Sequence, residues 1–262
     1  MSLFRNLLIA KATGYPSDAT VWEITIPEGG DTAGYEVNNS TYSTVDWGDG
    51  TVETFTTNGR HTHFFDAGTY TVGVTSDGTY VTAAGYSGGY ATWAKYCTRI
   101  LHWSELINDF RYMCANMVNL IEVPEEHKTP VASIIGAFYV CYKLKALTML
   151  DLSKLTNTNA QFFAQECRAI ISVPPYDTSR IEGFYMFLEA CDNLEQIPDF
   201  DYSNAINMQH MFRNNSKMKG YARPEMFWEN PNNPKYNVYT FSGCRALDNY
   251  NEIPAAWGGG GE

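Results

Sequence analysis

The sequence predicts a mixed α and β fold: a small β-sandwich followed by a stack of about six repeats, each carrying a helical turn. Three observations lead there. Residues 21–84 alternate apolar and polar side chains in short runs broken by glycine-rich turns. In the second half a pattern of apolar residues and cysteine recurs every 24 to 29 residues. Within each recurrence the apolar positions lie three and four residues apart, the spacing that shares one face of a helix.

The 262 residues suffice for two modest domains. The expected division is an N-terminal arm over 1–19, a sandwich over 20–88, a repeat region over 89–256 and a glycine-rich tail over 257–262. A net charge of −11 with no basic cluster repels a phosphate backbone, so no nucleic acid is expected as partner. The longest apolar runs are too short to span a bilayer, so no membrane insertion is expected. Residues 1–11 lack the full apolar segment of a secretory leader, and export by that route is not expected. In the arm, Phe4, Leu7 and Leu8 sit at helix-face spacing. They form a candidate docking segment for a larger assembly, or fold back on the sandwich as an added edge strand.

In the sandwich, Val21-Trp22-Glu23-Ile24-Thr25-Ile26, Thr51-Val52-Glu53-Thr54-Phe55 and Thr69-Tyr70-Thr71-Val72-Gly73-Val74-Thr75 alternate as strands. Asp77-Gly78 signals a hairpin before Thr79-Tyr80-Val81-Thr82. Two motifs add specificity. Val45-Asp46-Trp47-Gly48-Asp49-Gly50-Thr51 resembles the WDFGDGT signature of PKD (polycystic-kidney-disease) domains. His63-Phe64-Phe65-Asp66-Ala67-Gly68-Thr69-Tyr70-Thr71-Val72 resembles that family's second conserved segment, with Ala67 where proline is usual. The resemblance implies an immunoglobulin-like sandwich that acts as a spacer or adhesion module. Asp46 and Asp49 suggest calcium by their carboxylates; a tight turn at Gly48-Asp49-Gly50, with Asp49 bonding local backbone, is the favoured reading.

The repeats align on Met117, Cys141, Cys167, Cys191, Asn215 and Cys244, separated by 24, 26, 24, 24 and 29 residues. Three residues after each anchor stand Leu120, Leu144, Ile170, Leu194, Met218 and Leu247. Four before it stand Met113, Ala137, Phe163, Phe187, Met211 and Thr240. The positions seven, four and three before the anchor are expected on one helix face, with the anchor opening a tight turn and a short extended segment. Pro124, Pro174 and Pro198 end that segment. The steps Asp151-x-Ser153, Asp177-x-Ser179 and Asp201-x-Ser203 suit a turn or a helix N-cap. One such unit cannot bury its apolar face alone, so the units must stack.

Phe184-x-x-Phe187-Leu188-x-x-Cys191-x-x-Leu194-x-x-Ile197-Pro198 resembles the BspA-like leucine-rich repeat. The segment from Tyr96 to Trp103 resembles the stretch that precedes the first unit in such proteins. The resemblance implies a right-handed leucine-rich-repeat solenoid built for surface contact, without cofactor or catalytic residues. Asn215 in the cysteine column, the long insert over 223–235 and a weak last unit, expected as a cap, depart from the pattern.

The cysteine column has no C-x-x-C pair and no adjacent histidine at ligand spacing, so its thiols are expected as small buried core residues and not as metal ligands or disulfides. No nucleophile elbow, phosphate loop or zinc-protease motif occurs, so no catalytic, cofactor-binding or metal-binding residue is expected. Tyr90, Trp93, Tyr142, Tyr176, Tyr185 and Trp228 stand outside the repeat columns and either line a binding face or pack internally. The two resemblances together imply a non-enzymatic attachment protein, and the missing leader favours a virion surface. Its partners are other virion proteins or copies of itself, with a host cell-surface protein or glycan as contact. The alternative is an adhesin on a bacterial cell surface.

Overall fold

The computed structural model describes Pro16, residues 18–84, residues 91–230, Asn232 and residues 234–261. The strands in chain order are β1 (Thr20–Ile26), β2 (Asp31–Asn38), β3 (Ser43–Asp46), β4 (Val52–Phe55), β5 (Gly59–Phe65), β6 (Gly68–Ser76), β7 (Tyr80–Thr82), β8 (Cys97–His102), β9 (Glu126–His127) and β10 (Met149–Leu150). A five-stranded antiparallel sheet runs β4-β3-β6-β1-β8, and a three-stranded antiparallel sheet runs β5-β2-β7. They face one another across Trp22 of β1, Tyr35 of β2, Trp47 and Phe65, whose rings pack at 5.8–6.4 Å. The alternation in β1 sends Trp22, Ile24 and Ile26 into this core, each at most 3% exposed.

The rest of the chain corrects the expected class. Among the described residues there is no α-helix; the helical content is three short 3-10 turns at Ala94–Tyr96, Pro224–Met226 and Ala255–Trp257. The mixed α and β reading, an immunoglobulin-like sandwich joined to a leucine-rich-repeat solenoid, therefore gives way to an almost entirely β chain built on antiparallel sheets.

In the repeat region the chain forms turn-rich rungs held by backbone hydrogen bonds from one rung to the next. The N–H groups of Phe110, Tyr112, Cys114 and Asn116 donate to the carbonyls of Ser133, Ile135, Ala137 and Tyr139 at 2.8–2.9 Å. Those of Phe184, Met186, Leu188 and Ala190 reach Asn207, Gln209, Met211 and Arg213 in the same way, at 2.6–3.1 Å. The intervening N–H groups close turns inside the rung: Met113 bonds Phe110 O, Ala115 bonds Tyr112 O and Met117 bonds Cys114 O, at 3.1–3.2 Å. Alternate use of the donors needs left-handed backbone at two places per rung. Five and one residues before the anchor, φ is positive in all six rungs, from Tyr112 and Asn116 at 52° and 60° to Tyr239 and Gly243 at 61° and 84°. A helix cannot pass through such residues.

The anchor, +3, −3 and −4 positions nevertheless point inward, as the apolar pattern requires. Met117, Cys141, Cys167, Cys191, Leu120, Leu144, Ile170, Leu194, Phe163, Phe187 and Met211 are fully buried, with Cys244 at 0% and Leu247 at 4% exposed. Phe163 stacks on Phe187 at 4.8 Å, and the insert over 223–235 adds Phe227, packed edge-on to Phe241 at 4.9 Å. At the far end, Tyr239 N–H and Phe241 N–H donate to Ala256 O and Trp257 O at 3.1 and 2.8 Å, so the Ala255–Trp257 turn covers the last rung.

β8 belongs to both halves. On one side it pairs antiparallel with β1. On the other, Ile100 N–H donates to Glu122 O at 3.0 Å and Ile121 N–H to Thr98 O at 2.9 Å, in the manner of a rung. One hydrophobic cluster runs continuously from Trp22 to Trp257.

Candidate binding face

The left-handed residue five before each anchor carries a large side chain in most rungs, and its side chain stays partly in solvent. With the neighbouring positions it builds a ladder of rings across successive rungs. Tyr139 meets Phe162 at 6.0 Å, Phe162 meets Tyr185 at 5.4 Å, Tyr185 meets His210 at 6.1 Å, and His210 stacks on Tyr239 at 5.6 Å. The polar neighbours are tied together. Gln165 Nε2 donates to Glu189 Oε2 at 2.7 Å, and Arg213 Nη1 lies 3.5 Å from Glu189 Oε1. Burial raises the Glu189 carboxyl and lowers the His210 imidazole, so the ladder presents neutral His210 at neutral pH.

The ladder ends on a group of exposed apolar side chains. Ile206, Tyr236, Val238 and Tyr239 are 47%, 47%, 40% and 51% exposed. They lie on adjacent rungs, joined where Tyr236 N–H donates to Ile206 O at 3.1 Å. Lys235 Nζ sits over the Tyr236 ring, 5.2 Å from its centroid. Aromatic rings with exposed faces and a thin polar rim are the composition of a recognition surface. Pattern reading did not find this ladder, because its members fall between the repeat columns. The one signal was the choice of Asn116, Asn214, Gly136 and Gly243 at the left-handed positions, residues that tolerate positive φ.

The other aromatics singled out from sequence separate into different roles. Tyr185 is in the ladder. Tyr176 is 5% exposed and its hydroxyl donates to Thr148 O at 2.6 Å. Trp93 Nε1 donates to Ala83 O at 3.0 Å, with Arg60 over its ring. Trp228 packs against Trp257 at 6.4 Å, and Tyr142 is capped by Arg168 at 4.5 Å. Tyr90 and the arm residues Phe4, Leu7 and Leu8 lie outside the described residues.

The sandwich motif works as a brace. Asp46 Oδ1 accepts Gly48 N–H and Asp49 Oδ1 accepts Thr51 N–H, both at 2.9 Å, which is the turn geometry. Asp49 Oδ2 meets His63 Nε2 at 2.7 Å, and His63 stacks on the buried Trp47 at 5.1 Å. Gly48 has φ 82°, and a Cβ there would stand 2.3 Å from Thr71 O, so only glycine lets β6 pass this close. Gly50, at φ 98°, completes the turn, and Tyr70 donates its hydroxyl to Asp66 O at 3.1 Å. Among the described residues no group of three or more His, Cys, Asp or Glu side chains is placed to hold a metal ion, and no helix is long and apolar enough to cross a membrane.

The six cysteines are buried free thiols. Those in the column donate to the carbonyl three before the preceding anchor: Cys141 to Cys114 O and Cys167 to Phe138 O at 3.0 Å, Cys191 to Ala164 O at 3.2 Å, and Cys244 to Phe212 O at 2.9 Å. Asn215 does the same with its amide, Nδ2 to Leu188 O at 3.0 Å, while its Oδ1 accepts Cys191 N–H at 2.8 Å.

No protein-family model, curated protein or solved structure matches the chain.

Proposed function

We propose that this chain is a non-enzymatic attachment protein, carried on a bacteriophage virion, which uses the rung stack to present an aromatic face to a protein or glycan of the host cell surface. The observation that carries this reading is the ring ladder from Tyr139 to Tyr239 and the exposed quartet at its end. A rigid backbone fixes these rings before any partner arrives, so little ordering is lost on contact. Their placement on stacked rungs makes an elongated surface, suited to an extended partner. The likeness of the sequence motifs to modules of phage and gut-bacterial surface proteins supports the virion location.

Two measurements test it. Immunogold labelling with an antibody to the chain is expected on purified phage particles; labelling confined to the bacterial envelope would favour an adhesin instead. Fluorescently labelled protein is expected to bind intact host cells, and the Tyr236→Ser, Tyr239→Ser double variant is expected to lose most of that binding while keeping its melting temperature. Unchanged cell binding by the double variant would exclude the ladder end as the contact.

A further inference from the structure

Where the sandwich meets the first rung, a cleft of about 420 Å³ opens between them. This volume falls within the range of small-molecule sites, roughly 300–1,000 Å³. The sandwich contributes Glu36 and Asn38 from β2 and Tyr80 from β7, and the first rung contributes Asp109, Arg111 and Tyr112. The cleft lies at the first rung, at the other end of the stack from Tyr236 and Tyr239, with Tyr112 in the same left-handed column as Phe162 and His210, and is built of side chains held in place. Arg111 Nε lies 3.0 and 2.9 Å from the two Asp109 oxygens, and Nη2 lies 2.6 Å from Oδ2, so the guanidinium is fixed in a fork. Glu36 is 1% exposed, its carboxylate accepting Asn38 Nδ2 at 2.9 Å and Arg60 Nε at 3.4 Å. Tyr112 lies over the second rung at Gly136, where a Cβ would stand 2.4 Å from its ring.

Tyr80 is the telling residue. It is 6% exposed and lines the cleft, yet its hydroxyl makes no hydrogen bond to any described residue. Burial, with the nearby Glu36 and Asp109 carboxylates, pushes its phenol well above the usual range, so it is a proton donor at every physiological pH. The charges around it balance: carboxylates Glu36 and Asp109 against guanidiniums Arg60 and Arg111. No net charge draws in an anion or a cation, and the carboxylate oxygens are already engaged by donors, unlike the open oxygen shell a hard cation needs. What the cleft offers is a phenol O–H, a fixed guanidinium edge, an amide and two ring faces. Those groups match hydroxyls on one side and C–H surface on the other.

We propose that this cleft binds a single neutral sugar unit, with the Tyr80 hydroxyl and the Arg111 guanidinium donating to its hydroxyl oxygens and Tyr112 covering its C–H face. The site goes beyond the attachment reading and is tested at residues other than the exposed quartet, so either can fail alone. The test uses the full chain and the methyl glycosides of glucose, galactose, mannose and N-acetylglucosamine, with sialic acid as a charged comparator. Binding is read by saturation-transfer NMR and calorimetry. At least one neutral glycoside is expected to bind, with an affinity insensitive to salt. Tyr80→Phe and Arg111→Ala are each expected to weaken it about tenfold or more. The Tyr236→Ser, Tyr239→Ser variant is expected to bind it unchanged. Arg111 is 55% exposed, so its removal keeps the test decisive if Tyr80→Phe disturbs packing. Binding by none of the four glycosides, binding that both cleft variants leave intact, or preference for sialic acid that salt abolishes would each overturn the proposal.

Discussion

The cysteines of the repeat column act as hydrogen-bond donors as well as core filler. Each thiol reaches back to a carbonyl of the preceding rung, and Asn215 shows that an amide can take the place of the thiol because it donates to the same acceptor position. Cys167→Val keeps the volume but removes the donor to Phe138 O. It is expected to destabilise the protein by about 1–3 kcal/mol, the cost of an unsatisfied buried polar group, read as a lower urea midpoint. Asn215→Leu loses two buried hydrogen bonds and should cost more than Asn215→Cys, which restores the column. The thiols also set an alkaline limit. Burial raises Cys141, Cys191 and Cys244, the last from 9.0 to about 12, and raises the phenols of Tyr176 and Tyr202 in the same direction. The folded state therefore holds these protons more tightly than the unfolded chain. Their contribution is complete below about pH 9 and is lost as pH rises through the folded values. Melting temperature is expected to hold from pH 7 to 9 and to fall steeply above it; a flat profile to pH 11 would contradict the assignment. The burial of this column was legible from its period alone. The hydrogen bonds were not, because sequence does not reveal which carbonyl lies above a thiol.

At the scale of elements, alternation located β1, β4, β6 and β7, where one face of each run is apolar or a turn signal brackets it. It missed β2, whose Asp-Thr-Ala-Gly-Tyr-Glu-Val-Asn run buries Gly34, Tyr35, Glu36 and Val37 in succession, so no period of two survives. The helical reading of the repeats failed for a different reason. Apolar residues at −7, −4, −3 and 0 face one way in a helix, but they also face one way when each rung is a series of turns with left-handed corners. Side-chain spacing cannot separate the two; the destination of the backbone N–H groups does. β8 was read as a preface to the repeats, and its pairing with β1 was hidden because the partner is 73 or more residues away. That pairing makes a prediction. Ile100 is 3% exposed in the shared strand. Ile100→Ala is expected to cost about 2–5 kcal/mol and to raise amide exchange in β1, β6 and the first rungs together. Phe187→Ala, costing about 3–5 kcal/mol, is expected to raise exchange in the neighbouring rungs and leave β2, β5 and β7 protected. Identical exchange maps for the two variants would mean that the molecule unfolds only as a whole.

For the whole molecule, the acidic balance of −11 bears on how partners are met. The ladder end and the cleft are both close to neutral in an acidic protein, so contact there depends on shape and rings and not on long-range attraction. Binding to cells is expected to change little between low salt and about 0.5 M salt, where the Debye length shrinks to a few ångströms; a collapse of binding at high salt would point to a charged contact elsewhere. The fold supports such a face by stiffness. Every rung is tied to the next through several backbone hydrogen bonds, so the rings keep their spacing without help from a ligand.

Along the turns that precede each anchor the inter-rung hydrogen bonds run one way, N–H groups donating to carbonyls of the rung that follows, while elsewhere, as from Lys219 to Glu195 and from Tyr236 to Ile206, they return to the rung before. That row of turns thus has a donor end, closed by the carbonyls of Ala256 and Trp257, and a first rung where the Thr82 hydroxyl bonds Met113 O. Polarity of this kind makes the molecule a directional polymer with a terminator. Extra rungs can be spliced into its middle without altering either end, so its reach is adjustable by whole units of about two dozen residues. Removing the terminator leaves the Tyr239 and Phe241 N–H donors bare. The short turn over Ala255–Trp257 occupies those donors.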